Sequence, residues 1–369
     1  MSSTLDEALL DSEQRLVAAD RTDLLRSLAT AGPQIRESMA LSAESDVPGS
    51  LAGLRPRAVL VAADPVTADV AAVLAALADR PEASAPVVLV DGPALPVWAG
   101  AVDVLLVAGS AADPTATAGP ALVEAAARRG MSVLGTGPDG SVLHEACGRN
   151  RLPYVPLPAA RHPRADFWAP LVPLLLAAGE LGLIPEPAME LRRCADLLDA
   201  LAERAGPGAE TYGNPAKSLA LDLAESVPVL VGTTPVGGAA ACRTSGQLAA
   251  AGRAAPWGAL PGAPHQLGGL LAGDPGGDGD DLFRDRVDDF APARPRLVLL
   301  RAAEESDRVR AQVDELVAHC GRRGVPVTEV VAEDAAGPIG RLASVVALLD
   351  FTAAYVGIAS GTTIDEGDR

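Results

Sequence analysis

The sequence predicts an α/β protein of two lobes, each a three-layer αβα sandwich around a mainly parallel sheet, preceded by an N-terminal helical arm. Three observations carry this prediction. Short, continuous apolar runs alternate with helical stretches through both halves of the chain. Its 369 residues suffice for two medium domains. Hydrophobic residues make up 49% of the total but aromatics only 3%, and an alanine-rich interior of that kind suits helices packed closely on sheets.

Residues 5–45 carry helical periodicity, with Leu9, Leu10, Leu16, Leu24, Leu25 and Leu28 near one face. They form the arm, 1–50, which is expected to pack on the body or on a partner subunit. The first lobe is placed at 51–183. Its strands are Arg57 to Ala63, Pro86 to Val90, Val102 to Ala108, Met131 to Gly135 and Leu152 to Leu157. After Arg57 the first of these is apolar throughout, as a strand covered on both faces must be. Helices are expected at 66–79, 119–130 and 165–183. An amphipathic helix over 187–205 lies in a helical linker, 184–210.

The second lobe, 211–369, repeats the alternation. A helix opens at Lys217 and runs to about 225, a strand follows at Pro228 to Gly232, and residues 236–252 are helical. Strands at Arg296 to Leu300 and Val325 to Val331 flank a charged helix at 304–322, and an apolar helix covers 338–357. The Gly/Asp-rich stretch from Gly273 to Arg294 lacks the spacing and closing glutamate of a calcium loop. It is expected to be a flexible surface insertion.

Charge and composition exclude several functions. A net charge of −18 argues against nucleic-acid binding, which needs a basic footprint. No run of about 18 apolar residues suggests a membrane span, and no signal peptide is visible at Met1 to Glu7. Cys147, Cys194, Cys242 and Cys320 lie far apart, as do His144, His162, His265 and His319. No spacing suggests a metal, no cofactor is expected, and the cysteines read as small thiols in a reducing cytoplasm.

Among 30 cationic residues the chain has a single lysine, Lys217. In a chain that otherwise uses arginine, it marks a position that needs a compact ammonium rather than a planar fork. Asn214 reads as an N-cap and Pro215 as the first helical residue, which puts Lys217 in the first turn, where the helix dipole disfavours a cation. Two readings stand: an anchor for an anion bound at the helix start, or a surface lysine paired with Glu210 or Glu225.

Ligands of parallel sheets gather beyond the C-terminal strand ends. The turns there are Ala62 to Pro65, Gly109 to Asp113, Gly135 to Gly137 and Gly232 to Thr234. None carries a dinucleotide or P-loop pattern, which disfavours nicotinamide and NTP chemistry. Ser110, Thr115 and Thr117 could hydrogen-bond a phosphate, or they could cap and form turns. Asp113 would repel an anion.

Two such lobes with turns at these places resemble the SIS (sugar isomerase) domain family, and more closely its bifunctional phosphoglucose/phosphomannose isomerases, in a divergent, TobH-like branch from high-GC bacteria. The second lobe resembles their C-terminal domain. The segments that carry the resemblance are Asn214 to Ala220, Ala263 to Gly269, Leu342 to Ala359 and His162 to Ala165, and it extends from about 50 to 366. It implies a sugar-phosphate ligand, carbohydrate metabolism, a homodimer and a cytoplasmic location. It also implies aldose–ketose isomerisation of glucose 6-phosphate or mannose 6-phosphate by a carboxylate base through an enediolate. His265 matches the ring-opening histidine and Arg164 the charge-balancing arginine. Ser110, Thr115 and Lys217 are the expected substrate-binding residues. The base should fall within Arg243 to Ala250, where no carboxylate occurs; Glu210 or another carboxylate would have to substitute. The phosphate turns are reduced to Ala62 to Pro65 and Ser110 to Thr115. The alternative is a protein that does not catalyse: a sugar-phosphate sensor, a regulator or a dimeric scaffold.

Overall fold

The computed structural model describes residues 5–361 apart from 111–112, 114, 159–161, 273–293, 303 and 334–336. The Gly/Asp-rich insertion therefore lies almost wholly outside the described residues. Five short helices come first: α1 (Glu7–Leu10), α2 (Glu13–Ala19), α3 (Leu24–Leu28), α4 (Ala31–Glu44) and α5 (Val47–Leu51). Asp6 and Ser12 cap the first two, and Asp23 and Asp46 adopt left-handed conformations that start α3 and α5. These turn residues break what the apolar periodicity presents as long helix. All six leucines named for the arm are buried within the single chain.

The first sheet contains β1 (Val59–Ala63), β2 (Val87–Leu89), β3 (Val104–Ala108), β4 (Ser132–Pro138) and β5 (Tyr154–Leu157). Its order is β2-β1-β3-β4-β5, with every pair parallel. The connecting helices are α6 (Ala68–Ala78), α7 (Ala118–Arg128) and α8 (Val142–Arg149), followed by α9 (Trp168–Glu180) and α10 (Pro187–Ala205). Leu60, Leu105, Val107, Leu122, Val123 and Val133 form the centre of its core. Because β1 and β3 are covered on both faces, their sequences are apolar without alternation.

The second sheet is built from β6 (Ser226–Gly232), β7 (Trp257–Ala259), β8 (Arg294–Arg301) and β9 (Val327–Val331), in the order β7-β6-β8-β9, again all parallel. Its helices are α11 (Pro215–Ala224), α12 (Pro235–Ala250), α13 (Ala263–Leu267), α14 (Asp307–Arg322) and α15 (Pro338–Ala359). Val229, Val231, Leu297, Leu299, Val313 and Leu316 pack in its core. Sequence reading passes over β7, α8 and α13, which are too short to show a period. It also finds no apolar run long enough to span a membrane, and α15 corrects this. That helix is long and apolar enough by composition, but 89% of its apolar window is buried inside the protein, so it is a core helix.

The chain divides into two units: residues through 21 with 204–333 and those from 345 onward, and residues 22–203 with 334–344. Within the latter, Glu190 on α10 accepts the Ile339 N–H at the start of α15 through Oε2 (3.1 Å). Burial raises the Glu190 carboxyl above its ordinary range, opposed by that hydrogen bond and by Arg341, Arg193 and Arg80. A carboxyl raised in the folded state adds stability below its unfolded value, near 4.5, and that stability is lost as pH rises through the folded value. Glu190→Gln keeps the acceptor and removes the charge. It should be neutral to stabilising at neutral pH, by no more than about 1 kcal/mol because the group is only half buried. The difference should vanish by about pH 4. Urea unfolding at the two pH values checks this.

Candidate functional site

In the unit that holds the first sheet, β1 ends beside β3 at the point where the chain reverses its direction of travel across the sheet, since β2 lies on one side of β1 and β3 on the other. Such switch points hold the ligands of open α/β sheets. A crevice lies there, lined by Asp64, Gly109, Ser110 and Asp113 from the loops after β1 and β3, and by Pro138 and Ser141 from the loop after β4. Its interior is about 20 Å³, room for a water or two rather than a sugar phosphate.

Asp64 dominates this crevice. It is 6% exposed. Its Oδ1 accepts the Val66 N–H (3.0 Å), the Thr67 N–H (2.9 Å) and the Thr67 Oγ–H (2.9 Å). Its Oδ2 accepts the Ser110 N–H at 2.5 Å. Four donors from two strand ends thus converge on one carboxylate. Ser141 caps α8 by accepting the His144 N–H (3.2 Å), and its hydroxyl lies 3.2 Å from that of Tyr154. The His144 ring stacks on Tyr154 at 4.4 Å. Burial raises the Tyr154 hydroxyl above its ordinary range.

Of the residues expected to bind substrate, Ser110 alone lines this crevice. Thr115 is exposed and its hydroxyl donates to Asp113 Oδ1 (2.8 Å), which also accepts the Thr115 N–H (3.2 Å). This is the turn-forming role. Arg164 sits half-buried on a 3₁₀ turn, Pro163–Ala165, whose first amide is capped by His162: the Arg164 N–H donates to His162 Nδ1 (3.1 Å).

In the other unit, β6 ends at Gly232 against the start of α12. A Cβ there would lie 2.1 Å from the Gly238 nitrogen, so only glycine allows the helix this close to the strand end. Thr234 caps α12 by accepting the Gly237 N–H (3.2 Å). The segment that should carry the base lies on α12, where Arg243, Thr244, Gln247 and Leu248 are all buried. Its only charge, Arg243, is paired with Asp350 of α15: Nη2 donates to Oδ2 (2.8 Å) and Nε to Oδ1 (3.1 Å). His265 is exposed on α13. Glu210 is exposed and hydrogen-bonded to Tyr212.

Lys217 corrects both sequence readings. Asn214 and Pro215 take the predicted cap and first-turn positions, with Asn214 Oδ1 accepting the Ala216 and Lys217 N–H groups. The side chain, however, is neither an anion anchor nor a surface ion pair. The residue is 1% exposed, and its Nζ donates to the carbonyls of Leu10 (2.8 Å), Pro207 (2.9 Å) and Ala209 (2.8 Å). These take up all three ammonium donors. The ammonium also lies 5.7 Å from the centroid of the Tyr355 ring. Burial lowers its pKa, and Asp11 and Glu13 oppose that shift. The uniqueness of the lysine signals its importance, but the partners are main-chain atoms that no side-chain pattern reports. Sequence reasoning also missed Asp64. The signal available was an aspartate three residues ahead of a helix N-cap, Thr67, beside a strand end.

The four cysteines are free thiols. Among the described residues no group of three or more His, Cys, Asp or Glu side chains is arranged to hold a metal ion.

Residues 213–365 match the family model of the bacterial phospho-glucose isomerase C-terminal SIS domain. No curated protein matches the chain. Among solved structures, a putative phosphosugar isomerase from Silicibacter pomeroyi is 13% identical, with 90% of this chain and 96% of that one covered and a TM-score of 0.65. A hypothetical protein from Thermus thermophilus is 11% identical over 95% and 89%, with a TM-score of 0.67. The tagatose-6-phosphate ketose/aldose isomerase of Escherichia coli is 14% identical over 93% and 94%, with a TM-score of 0.65. At these identities the likeness is one of fold.

Proposed function

We propose that this chain is an SIS-domain protein and that it binds a sugar phosphate without isomerising it. One observation carries the second half of this reading. The stretch from Arg243 to Ala250 is free of carboxylates, largely buried in α12, and its one charge is held by Asp350. Aldose–ketose isomerisation needs a base within hydrogen-bond reach of the C1 and C2 protons, and loss of a positioned base lowers rates by about 10²–10⁴. The first half is supported by the SIS domain and by the phosphosugar isomerases that share the fold. In this reading Arg164 and His265 are each sugar-binding candidates by resemblance alone, and the protein acts as a cytoplasmic homodimer in a sensing or regulatory role.

Coupled assays with glucose 6-phosphate and mannose 6-phosphate should give fructose 6-phosphate no faster than buffer. Millimolar sugar phosphate should raise the melting temperature, because a ligand of the native state stabilises it. Clear turnover of either substrate would overturn the non-catalytic half. No melting shift with any sugar phosphate would overturn the binding half.

A further inference from the structure

We propose that the arginine- and tryptophan-bearing surface of the connection between β2 and β3 docks an acidic amphipathic helix of a partner protein. Parallel strands are joined by crossovers that usually carry a helix. In the first sheet α6, α7 and α8 fill that role, but residues 90–103, which carry the chain from β2 past β1 to β3, contain no helix. Val90, Leu95 and Ala99 pack in one cluster with Leu60 and Ala62 of β1 and with Leu122 and Ala126 of α7. The connection therefore lies on the α7 side of the sheet, as a single extended layer where the other crossovers place a helix. Its outer side is apolar: Val97 is 97% exposed, Val102 61% and Trp98 48%. Large apolar side chains exposed together in one segment mark an interaction surface, unlike ones scattered singly.

The segment is held in place before any partner arrives. Arg129 at the end of α7 donates through Nη1 to the carbonyls of Pro96 (2.6 Å) and Ala99 (3.1 Å). Arg57, two residues ahead of β1, donates through Nη2 to the Trp98 carbonyl (2.8 Å), and its guanidinium carbon lies 5.4 Å from the centroid of the Trp98 ring. The buried carboxylate of Asp103 takes Arg57 in a two-pronged pair (2.6 and 3.1 Å) and accepts the Gly100 N–H (2.9 Å). Little order remains to be imposed on binding, and Trp and Arg are the side chains that dominate interface energetics. Charge selects the occupant. The two guanidiniums share one carboxylate, which is buried, so the outward charge is positive. A helix with an acidic face complements it and lays its apolar stripe on Val97 and Trp98. A second copy related by a two-fold axis would set arginines against arginines. A membrane or a nucleic acid presents an extended anionic surface to a chain of net charge −18, whereas a single helix meets mainly the charges within a screening length of about 8 Å. Arg57, Asp103 and Arg129 precede β1, β3 and β4, so the surface lies at the opposite end of the sheet from the crevice and is independent of the sugar-phosphate reading.

The test is fluorescence anisotropy of a labelled synthetic helix, with glutamates on one face and leucines and a phenylalanine on the other, titrated with the full chain. The same helix with lysine in place of every glutamate is the charge control. The wild type should bind the acidic helix at micromolar concentration and the basic one at least about ten-fold more weakly. Added salt should weaken the acidic complex. Val97→Asp changes a side chain that is almost wholly in solvent, so the melting temperature should stay put while affinity for the acidic helix falls at least about ten-fold; Trp98→Ala should lower it as much. No binding of the acidic helix at submillimolar protein, equal binding of the two helices, or a Val97→Asp protein that binds like the wild type would overturn the proposal. Two further measurements identify another occupant: co-sedimentation with phosphatidylserine–phosphatidylcholine vesicles, and self-association by ultracentrifugation. Either one present in the wild type and lost in Val97→Asp, with no binding of the acidic helix, would replace the partner helix by a membrane or by a second copy.

Discussion

Replacing Lys217 with methionine is expected to destabilise the protein by about 3–5 kcal/mol, read as a drop in the urea midpoint with the slope unchanged. Methionine nearly matches the volume of the lysine stem, so lost packing contributes little. What remains is three carbonyls, from Leu10, Pro207 and Ala209, without their donor. A buried acceptor left unmade costs roughly 1–3 kcal/mol. Lys217→Arg is the sharper comparison. The guanidinium keeps the charge, but its flat fork cannot place donors on three carbonyls gathered around one nitrogen. About 2 kcal/mol or more should be lost there too. An arginine variant as stable as wild type would show that a compact ammonium is not what this position requires. Because Leu10 belongs to α1, the variants should also speed hydrogen exchange at the N-terminal segment, where the Asp6 N–H is otherwise bound to the Ala359 carbonyl (3.0 Å).

Asp350→Ala is expected to cost about 3–5 kcal/mol, because it strands the Arg243 guanidinium in the protein interior. The side chains of the pair are 5% and 9% exposed, and their contact is two-pronged. Removing both charges should be far milder. Replacing a buried pair with apolar residues of similar volume is often neutral or stabilising, so Arg243→Met with Asp350→Leu should recover most of the loss. A double-mutant cycle by urea unfolding measures the coupling. Additive single losses would mean that the two groups do not act as a pair. The pair also bears on function, since the only charged side chain where a base is expected is held in structure.

Much of the fold is legible in local pattern. The apolar runs at Val59–Ala63 and Val104–Ala108 could only be strands covered on both faces, and Asn214 with Pro215 marked a helix start to the residue. The missing carboxylate between Arg243 and Ala250 was legible as well, because a residue type is absent or present regardless of fold. Where the pattern failed, the cause was length or partnership. The three residues of β7 are too few to show a period, and their pairing with Leu230 to Gly232 makes them a strand. The leucines of the first 50 residues suggested continuous helix, and left-handed aspartates divided it.

The candidate site divides along the same line. From the sequence came the identity of some of its chemistry-bearing residues, one lysine among arginines and hydroxyls after the third strand, while the aspartate after the first strand was passed over. The direction of their bonds came only from the folded chain. Lys217 had the right neighbours for an anion anchor, but its three partners are carbonyls, two of them 8 and 10 residues before it and one 207 residues before it. Asp64 and Ser110, 46 residues apart, meet because β1 and β3 lie side by side. Side-chain identity and spacing encode which residues can bond and which face of an element they share. Which main-chain donor or acceptor a buried charge meets depends on where distant strand ends and turns come together, and that is settled by tertiary packing.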